Sequence, residues 1–280
     1  MISETESYLW CRGVAKRRAR NFYYSFILLP EDRKNAMCAM YAFMRYCDDL
    51  SDEPGASRSA IEKWRGALHA ALAGSPGPEP LWPAFLDTLA RYKIPHEYFD
   101  EMIEGVASDL EPRTLSTFDE LYRYCYRVAS VVGLTTIRIF GFHSPDALPL
   151  AEKCGIAFQL TNILRDIRED AGLGRIYIPA EDLDRFGVSP DDLRFARRTE
   201  PFGRLMEFEI ERARGYYRES SGLLDLVDRE ARASLWALIA IYSSLLEHVS
   251  ESHYDVLSRR ISLSGAEKTL IVLRAALGWI

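Results

Sequence analysis

Two acidic clusters contain the residues best suited to chemistry, and each ends an apolar stretch with helical spacing. They are Asp48-Asp49-Leu50-Ser51-Asp52-Glu53 and Asp166-Ile167-Arg168-Glu169-Asp170. Each cluster places two aspartates four residues apart, so both carboxylates can lie on one helix face. Carboxylates suit hard divalent cations such as Mg²⁺, which keeps several waters and also binds a substrate's phosphates. The clusters therefore predict metal-dependent diphosphate chemistry.

The first cluster continues upstream as a polar stripe on an otherwise apolar helix. Tyr41, Arg45, Asp48 and Asp52 are separated by four, three and four residues, which aligns them along one face. Taken alone, this stripe is explained equally well by a solvated face with an Arg45–Asp48 ion pair.

The second cluster has a matching stripe. Gln159, Asn162, Asp166 and Asp170 step by three, four and four residues. Amide side chains upstream of aspartates can order metal-bound water or a phosphate oxygen. Two such stripes favour a metal site over solvated helix ends.

Two arginines lie in the second cluster or directly before it. Arg165 and Arg168 are close enough to offer bidentate contacts to phosphate. Their simpler interpretation is a pair of surface cations that bind Glu169 or Asp166.

Helices must bring the two stripes together. Apolar residues at three- and four-residue spacing predict helices from Pro30 to the Glu53-Pro54-Gly55 breaker, and over 118–140, 148–168, 201–226 and 230–254. The segment 74–80, rich in Gly and Pro, predicts a connection, and only 174–179 looks extended. We predict one all-α domain over residues 1–280, with the aspartates converging on a cavity of the bundle.

Composition excludes several classes of protein. The net charge of -6 argues against a general nucleic-acid binder. The five cysteines form no CxxC pair and are odd in number, so we expect buried reduced thiols rather than disulfides or a zinc site. The first fifteen residues contain acids and no apolar core of a signal peptide, and no stretch of about 18 uninterrupted apolar residues is present. We expect a cytoplasmic protein.

Four segments carry a resemblance to a known family. They are FYYSFILLP at 22–30, YAFMRYCDDLSDE at 41–53, YCYRVASVVG at 124–133 and AFQLTNILRDIREDAGLGRIYIP at 157–179. In this order they resemble the squalene and phytoene synthase family, the head-to-head prenyl condensing enzymes. The run QLxNILRDxxED followed by RIYxP is the specific part, because DDxxD alone is a weak signal.

The resemblance implies an all-α isoprenoid (class I terpene) synthase fold with a central apolar cavity, and it implies site residues. Several Mg²⁺ ions and the diphosphates would be bound by Asp48, Asp52, Asn162, Asp166 and Asp170. The diphosphate would also be held by Tyr41, Arg45, Gln159, Asn162 and Arg165. Tyr124 matches the tyrosine implicated near the ionising or rearranging substrate, although a buried tyrosine can also simply pack with its hydroxyl bonded.

One segment departs from the family. Many relatives carry serines or a threonine before the aromatic pair, where this chain has Ala19-Arg20-Asn21. Asn21 could still hydrogen-bond phosphate and Arg20 could add charge, but no phosphate-binding role is assigned to this segment.

The apolar part of the cavity should decide the length of the prenyl chain that the substrate carries. Phe22 and Phe26 lie four residues apart on a predicted pocket-lining helix, where a bulky ring would shorten the tunnel and favour farnesyl diphosphate. Phe26 could equally face the general core. We expect condensation of two farnesyl diphosphates to presqualene diphosphate or squalene, with phytoene formation from two geranylgeranyl diphosphates as the alternative.

The same motifs argue against three other functions, and the sequence also bears on a reductant and on membrane contact. The NILRDxxED string disfavours a head-to-tail synthase, paired motifs disfavour a terpene cyclase, and intact acids disfavour a noncatalytic helical assembly subunit of the same fold. NADPH would be needed for squalene, but no GxGxxG follows a strand. Lipid substrates are compatible with peripheral contact with the inner membrane face, although we favour a core role for the apolar tail 270–280.

Overall fold

The structure is a computed structural model that describes residues 2–52, 56–110 and 113–279, without the side chains of Arg20, Asn21, Asp52 and Arg113. Its helices are α1 (Glu4–Arg18), α2 (Arg20–Phe26), α3 (Glu31–Asp52), α4 (Arg58–Leu72), α5 (Trp82–Tyr92), α6 (Glu97–Ser108), α7 (Phe118–Cys125), α8 (Val131–Phe140), α9 (Ala147–Gly172), α10 (Ala180–Phe186), α11 (Pro190–Arg194), α12 (Glu200–Glu219), α13 (Leu223–Leu226), α14 (Arg229–Glu251) and α15 (Gly265–Ala276). A π-helical segment, Tyr126–Ser130, joins α7 to α8.

The long helices were predicted in type and approximate position. α3 ends at Asp52, and its predicted Glu53-Pro54-Gly55 breaker lies outside the described residues. The predicted helix 118–140 is interrupted by the π-helical segment. The predicted helix 201–226 is divided into α12 and α13 around residues 220–222. The all-α class is confirmed.

Two strands of two residues each also occur in this helical architecture. β1 (Arg113–Thr114) pairs in parallel with β2 (Arg175–Ile176), within the segment predicted to be extended. The Ala180 amide also donates to the Leu115 carbonyl at 2.8 Å. These bonds hold the chain that follows α6 against the chain that follows α9.

The π-helical segment is held between two glycines of neighbouring helices. A Cβ on Gly155 of α9 would lie 2.6 Å from Ser130 Cα, and a Cβ on Gly105 of α6 would lie 2.7 Å from Val128 Cγ1. Only glycine permits such close approach of the helices at these two positions. The Ser130 hydroxyl donates to the Glu152 carbonyl at 2.8 Å and fixes the segment's register against α9.

Aromatic rings fill the core where α3 packs against α5 and α6. Phe43 stacks on Phe85 with ring centroids 4.5 Å apart, and Phe99 meets Phe43 edge-on at 5.3 Å. The five cysteines are buried and free, as predicted.

α14 lies in the helical interior. It is the one described helix that reaches the length and hydropathy of a membrane span, and half of its apolar window is buried. The interior helix of a globular protein meets the same criteria, and α14 lines the central cavity through Leu235, Leu238 and Tyr242. We therefore assign it to the core.

We predicted that the apolar tail, residues 270–280, packs into the core, and this prediction was wrong. α15 contacts α14 and α2, but Leu270, Leu273 and Leu277 are 60%, 54% and 61% exposed. Their spacing of three and four residues places them on one outward face, because the inward face is taken by Ile271 and Ala275.

Candidate active site

A cavity of about 510 Å³ lies between α2, α3, α6, the π-helical segment, α8, α9 and α14. On both α3 and α9 the polar lining residues lie toward the C-terminus of the helix and the apolar ones toward the N-terminus. On α3 the lining residues from Met37 to Asp48 lie eleven helical steps apart, which is about 16 Å along the helix axis. The cavity therefore has room for a substrate whose polar group lies at the C-terminal ends of α3 and α9 and whose extended apolar chain runs toward their N-termini.

The first stripe is only partly directed into the cavity. Tyr41 and Asp48 line it, together with Ser51. Arg45 is not among the lining residues and donates to Asp49 four residues later. The guanidinium of Arg45 therefore pairs with a carboxylate of its own helix and does not line the cavity, and its predicted contact with diphosphate stays a prediction. The side chain of Asp52 lies outside the described part of the chain.

The second stripe lines the cavity in full. Gln159, Asn162, Asp166 and Asp170 all contribute to the wall, as predicted from their spacing. The Asn162 amide donates to Gln159 Oε1 at 3.4 Å. The stripe therefore presents amide and carboxylate oxygens from one helix face.

Arginines surround Asp166. Arg165 lines the cavity and donates from Nε to Asp166 Oδ1 at 2.7 Å. Arg260, from the loop before α15, donates to both oxygens of the same carboxylate at 2.9 and 3.2 Å. Arg168 instead donates to the Ser258 carbonyl at 2.7 Å and is not among the residues that line the cavity. No spacing signal in the sequence connects Arg260 to a helix 94 residues away.

The carboxyl of Asp170 is partly buried and lies close to other acids, and both conditions raise its pKa. The pKa of Asp170 is raised to about 7: burial is the largest cause, the negative charges of Asp166 and Asp109 add to the increase, and Arg175 opposes it. Desolvation and like charge both disfavour an ionised carboxylate. A bound cation would relieve that cost.

A carboxylate and two tyrosines form another part of the wall. Tyr124 donates to Asp109 Oδ2 at 3.1 Å, and Tyr177 donates to Asp109 Oδ1 at 2.8 Å. The two rings stack with centroids 4.7 Å apart. Sequence reasoning singled out Tyr124 but gave no role to Asp109 or Tyr177, although Tyr177 lies within the RIYxP string.

Comparison with known proteins assigns the chain. The family model for squalene/phytoene synthase matches residues 15–267. The protein belongs to the squalene/phytoene synthase family. It is therefore a prenyltransferase-type enzyme of the head-to-head prenyl diphosphate condensing class.

Relatives in sequence and in structure agree on this family. The chain is 36% identical to a 15-cis-phytoene synthase of Synechococcus elongatus, over 93% of this chain and 89% of that protein. A 15-cis-phytoene synthase of Synechocystis sp. is 35% identical, over 96% of this chain and 84% of the relative. A dehydrosqualene synthase crystal structure superposes with a TM-score of 0.91 at 28% identity, covering 99% of this chain and 97% of that one. A squalene synthase of Alicyclobacillus acidocaldarius superposes with a TM-score of 0.83 at 30% identity, covering 89% and 94%.

Aromatic rings form the apolar wall of this squalene/phytoene synthase family member. Phe22 and Phe26 both line the cavity, as predicted, and Phe26 is 1% exposed. Phe158 stacks on Tyr242 at 4.4 Å, and Phe22 lies 5.8 Å from Tyr242. Ring faces can stabilise a cation in a dry cavity.

The oxygen donors of the family member fit a metal that is completed by its substrate. Among the described residues, no group of three or more His, Cys, Asp or Glu forms a metal cluster by itself. Nevertheless Asp48 on one wall and Asp166 and Asp170 on another supply carboxylates to the same cavity. This donor set suits a hard cation that takes its remaining ligands from water and phosphate.

Proposed function

We propose that this enzyme joins two molecules of geranylgeranyl diphosphate head to head, by way of a cyclopropylcarbinyl diphosphate, to form phytoene. The observation that carries the proposal is the set of sequence relatives named phytoene synthases, from cyanobacteria and plants, at 33–36% identity over 92–98% of this chain. This reverses the preference for farnesyl diphosphate that we drew from the bulky rings of Phe22 and Phe26.

Condensation of two farnesyl diphosphates is the second candidate. It is favoured by the buried ring of Phe26 on the cavity wall. It is also favoured by structural neighbours named dehydrosqualene synthase and squalene synthase. Hopanoid or sterol precursors would follow from that product.

The polar residues would bind the head of the substrate. Mg²⁺ is the cation we propose, held by Asp48, Asp166 and Asp170 with the amide of Asn162, and when bound it neutralises the leaving diphosphate. Asp52 is included from its place in the motif. Arg165 would move between Asp166 and a phosphate oxygen, since its guanidinium already faces the cavity.

The remaining wall would guide the carbocation. Tyr41 and Gln159 would orient the diphosphate from the two opposite stripes, and Arg45 would stabilise the first stripe through Asp49. Apolar residues below them exclude water, which would otherwise capture the cation. Phe22 and Phe158 present ring faces to the chain. Phytoene formation needs no hydride, so NADPH belongs only to the squalene variant of the second candidate.

We also propose that the enzyme works at the cytoplasmic face of a membrane that supplies its lipid substrates. The outward leucines of α15 support this, because an apolar helix face with a nearby tryptophan, Trp279 at 66% exposure, suits a membrane surface. Co-sedimentation with phospholipid vesicles should fall in the double variant Leu270→Ser, Leu273→Ser. Leu9→Ser, on the exposed face of α1, is the matched control. Equal sedimentation of all three proteins would contradict the contact.

Product analysis tests the main proposal. Purified protein with Mg²⁺ should convert geranylgeranyl diphosphate to a C40 hydrocarbon without NADPH, at a kcat/KM at least about tenfold above that for farnesyl diphosphate. The opposite preference would establish the second candidate. No product from either substrate would leave a noncatalytic helical subunit of the same fold.

Phe26 provides the specificity experiment. If its ring closes the cavity, Phe26→Ala should raise the ratio of C20 to C15 turnover, because removing a buried ring lengthens the space available. Phe140→Ala, which empties a buried site that does not line the cavity, is the control for lost stability. An unchanged ratio would assign Phe26 to general packing.

A further inference from the structure

Arg175 is a cavity residue to which the proposed function gives no role. It follows the turn at Gly174, directly after α9, and begins β2. Ile176 and Ile178, each 2% exposed, anchor this segment in the interior. Arg175 is thereby held at the polar end of the cavity, five residues after Asp170, and both residues line it.

The guanidinium of Arg175 is not paired with any described residue. Among the described residues, two arginines line the cavity, Arg165 and Arg175. Arg165 donates to Asp166, whereas the side chain of Arg175 forms no hydrogen bond or ion pair with the described part of the chain. Its N–H donors are therefore available to a molecule in the cavity.

Asp170 lies near Arg175 and is also unpaired. Its carboxyl forms no hydrogen bond or ion pair with a described residue, although the charge of Arg175 is close enough to oppose the increase in its pKa. A carboxylate and a guanidinium that are close without pairing suit a ligand that carries both signs of charge. A diphosphate with a bound divalent cation is such a ligand, because the metal attracts the carboxylate and the phosphate oxygens accept from the guanidinium.

The charge of the cavity wall makes each cation important. Among the described residues, four aspartates and two arginines line the cavity. An anionic substrate therefore depends on positive charge from metal ions and from these arginines. Arg165 already shares Asp166 with Arg260, at 2.7 and 2.9 Å. Arg175 is thus the lining cation that can receive phosphate oxygens without first releasing a carboxylate.

We propose that Arg175 is a diphosphate-binding residue, whose guanidinium donates to two oxygens of the leaving diphosphate next to Asp170. Two parallel N–H···O bonds orient the phosphate as well as attracting it. When the bond between the prenyl carbon and oxygen breaks, its electron pair goes to the diphosphate, so this contact is stronger in the transition state than in the bound substrate. The proposal rests on the proposed condensation of prenyl diphosphates and holds for either chain length.

Binding of inorganic diphosphate tests the contact without turnover. The measurement is a calorimetric titration of the protein with inorganic diphosphate in the presence of Mg²⁺. In Arg175→Gln the dissociation constant should rise about tenfold or more, because a charge-assisted two-point contact is lost. Arg123→Gln is the matched control, since Arg123 is an exposed arginine of α7 that does not line the cavity. Its dissociation constant should stay within about twofold of the wild type.

Steady-state kinetics separate a substrate contact from a packing role. Arg175→Gln should lower kcat about 10²-fold, because the lost donors face charge that develops in the transition state. Arg175→Lys keeps the charge and loses the fork of donors, so its kcat should lie between those of the wild type and Arg175→Gln. A packing role would instead lower the melting temperature of the unliganded protein and leave the affinity of the folded protein for diphosphate unchanged.

A role through Asp170 alone predicts a different dependence on pH. The pKa of Asp170 is already raised to about 7, and loss of the Arg175 charge would raise it further. If Arg175 only keeps Asp170 ionised, the weaker diphosphate binding of Arg175→Gln should recover at pH 9, relative to the wild type at the same pH. If Arg175 contacts phosphate, the difference should persist at pH 9, because the guanidinium stays charged.

Three results would overturn the proposal. One is a diphosphate affinity of Arg175→Gln that equals that of Arg123→Gln. Another is a difference from the wild type that disappears at pH 9. The third is wild-type affinity and kcat in Arg175→Lys, a variant that keeps a long side chain and decides the matter if Arg175→Gln fails to fold. Turnover of either prenyl diphosphate by the wild type shows separately whether the condensation occurs, since the titration with inorganic diphosphate does not depend on it.

Discussion

The guanidinium of Arg260 donates two hydrogen bonds to the carboxylate of Asp166, from Nε to Oδ1 at 2.9 Å and from Nη2 to Oδ2 at 3.2 Å. This two-point contact joins the loop before α15 to the second acidic motif. It fixes the direction of a carboxylate on which we expect metal binding to depend. Bidentate pairs of this kind restrict geometry as well as adding energy.

Replacing Arg260 should therefore reduce activity more than stability. Its side chain is 50% exposed, and an exposed ion pair is worth at most about 1 kcal/mol. Arg260→Gln should lower kcat/KM about tenfold while the melting temperature changes by only a few degrees. Arg259→Gln, a neighbour that pairs with Asp255 at 3.5 Å, is the control. Equal activity in both variants would limit Arg260 to a surface role.

The cavity aspartates should be essential for turnover but not for folding. Asp48→Asn and Asp166→Asn each remove a charged oxygen donor and keep the shape of the side chain, so kcat/KM should fall by about 10²-fold or more. Circular dichroism should be unchanged. The increase in melting temperature caused by Mg²⁺ with diphosphate should disappear.

Asp184→Asn, on the exposed face of α10, is the control for removing an acid. Wild-type rates in both cavity variants would show that these aspartates form only a solvated surface.

Glu209 should make stability depend on pH. It is 1% exposed and shares Arg212 with Asp182, at 2.8 Å to each acid. Burial is the main cause that raises its pKa from 4.5 to about 8, and Asp182 adds to the increase while Arg212 opposes it. Two buried carboxylates with one guanidinium retain a proton, because the second negative charge has no full partner.

The sign of this dependence follows from linkage. The folded protein binds more protons than the unfolded chain between pH 4.5 and about 8. The stabilising contribution is therefore complete below pH 4.5 and is lost as the pH rises through about 8, with a slope of at most about 1.4 kcal/mol per pH unit. Urea unfolding of Glu209→Gln between pH 5 and 9 should show a smaller slope than the wild type. Parallel curves would refute a role for Glu209.

Two glycine substitutions should change stability in opposite directions. Gly155→Ala places a methyl group 2.6 Å from Ser130 Cα, so it should cost about 1–3 kcal/mol and displace the cavity wall at Ala129. Gly203→Ala in α12 meets nothing within 4 Å. It should stabilise the protein by about 0.5–1 kcal/mol, because alanine loses less backbone entropy. Denaturant unfolding measures both, and the same sign for both would be contrary to this packing.

Local periodicity in the sequence was enough for the helices and for much of the site. Apolar spacing placed α3, α9 and α14 to within a few residues. The steps from Gln159 to Asp170 put four polar side chains on one face, and that face does line the cavity. Both results follow from the helical repeat, which relates residues only a few positions apart.

Only the tertiary structure decided which side chains from distant segments meet. Arg260 reaches Asp166, and Tyr177 meets Asp109, although no spacing rule connects residues so far apart. The structure also turned Arg45 toward Asp49 and left Leu273 exposed. A helical pattern defines faces, but the rotation and packing of each helix against the others determine what each face contacts.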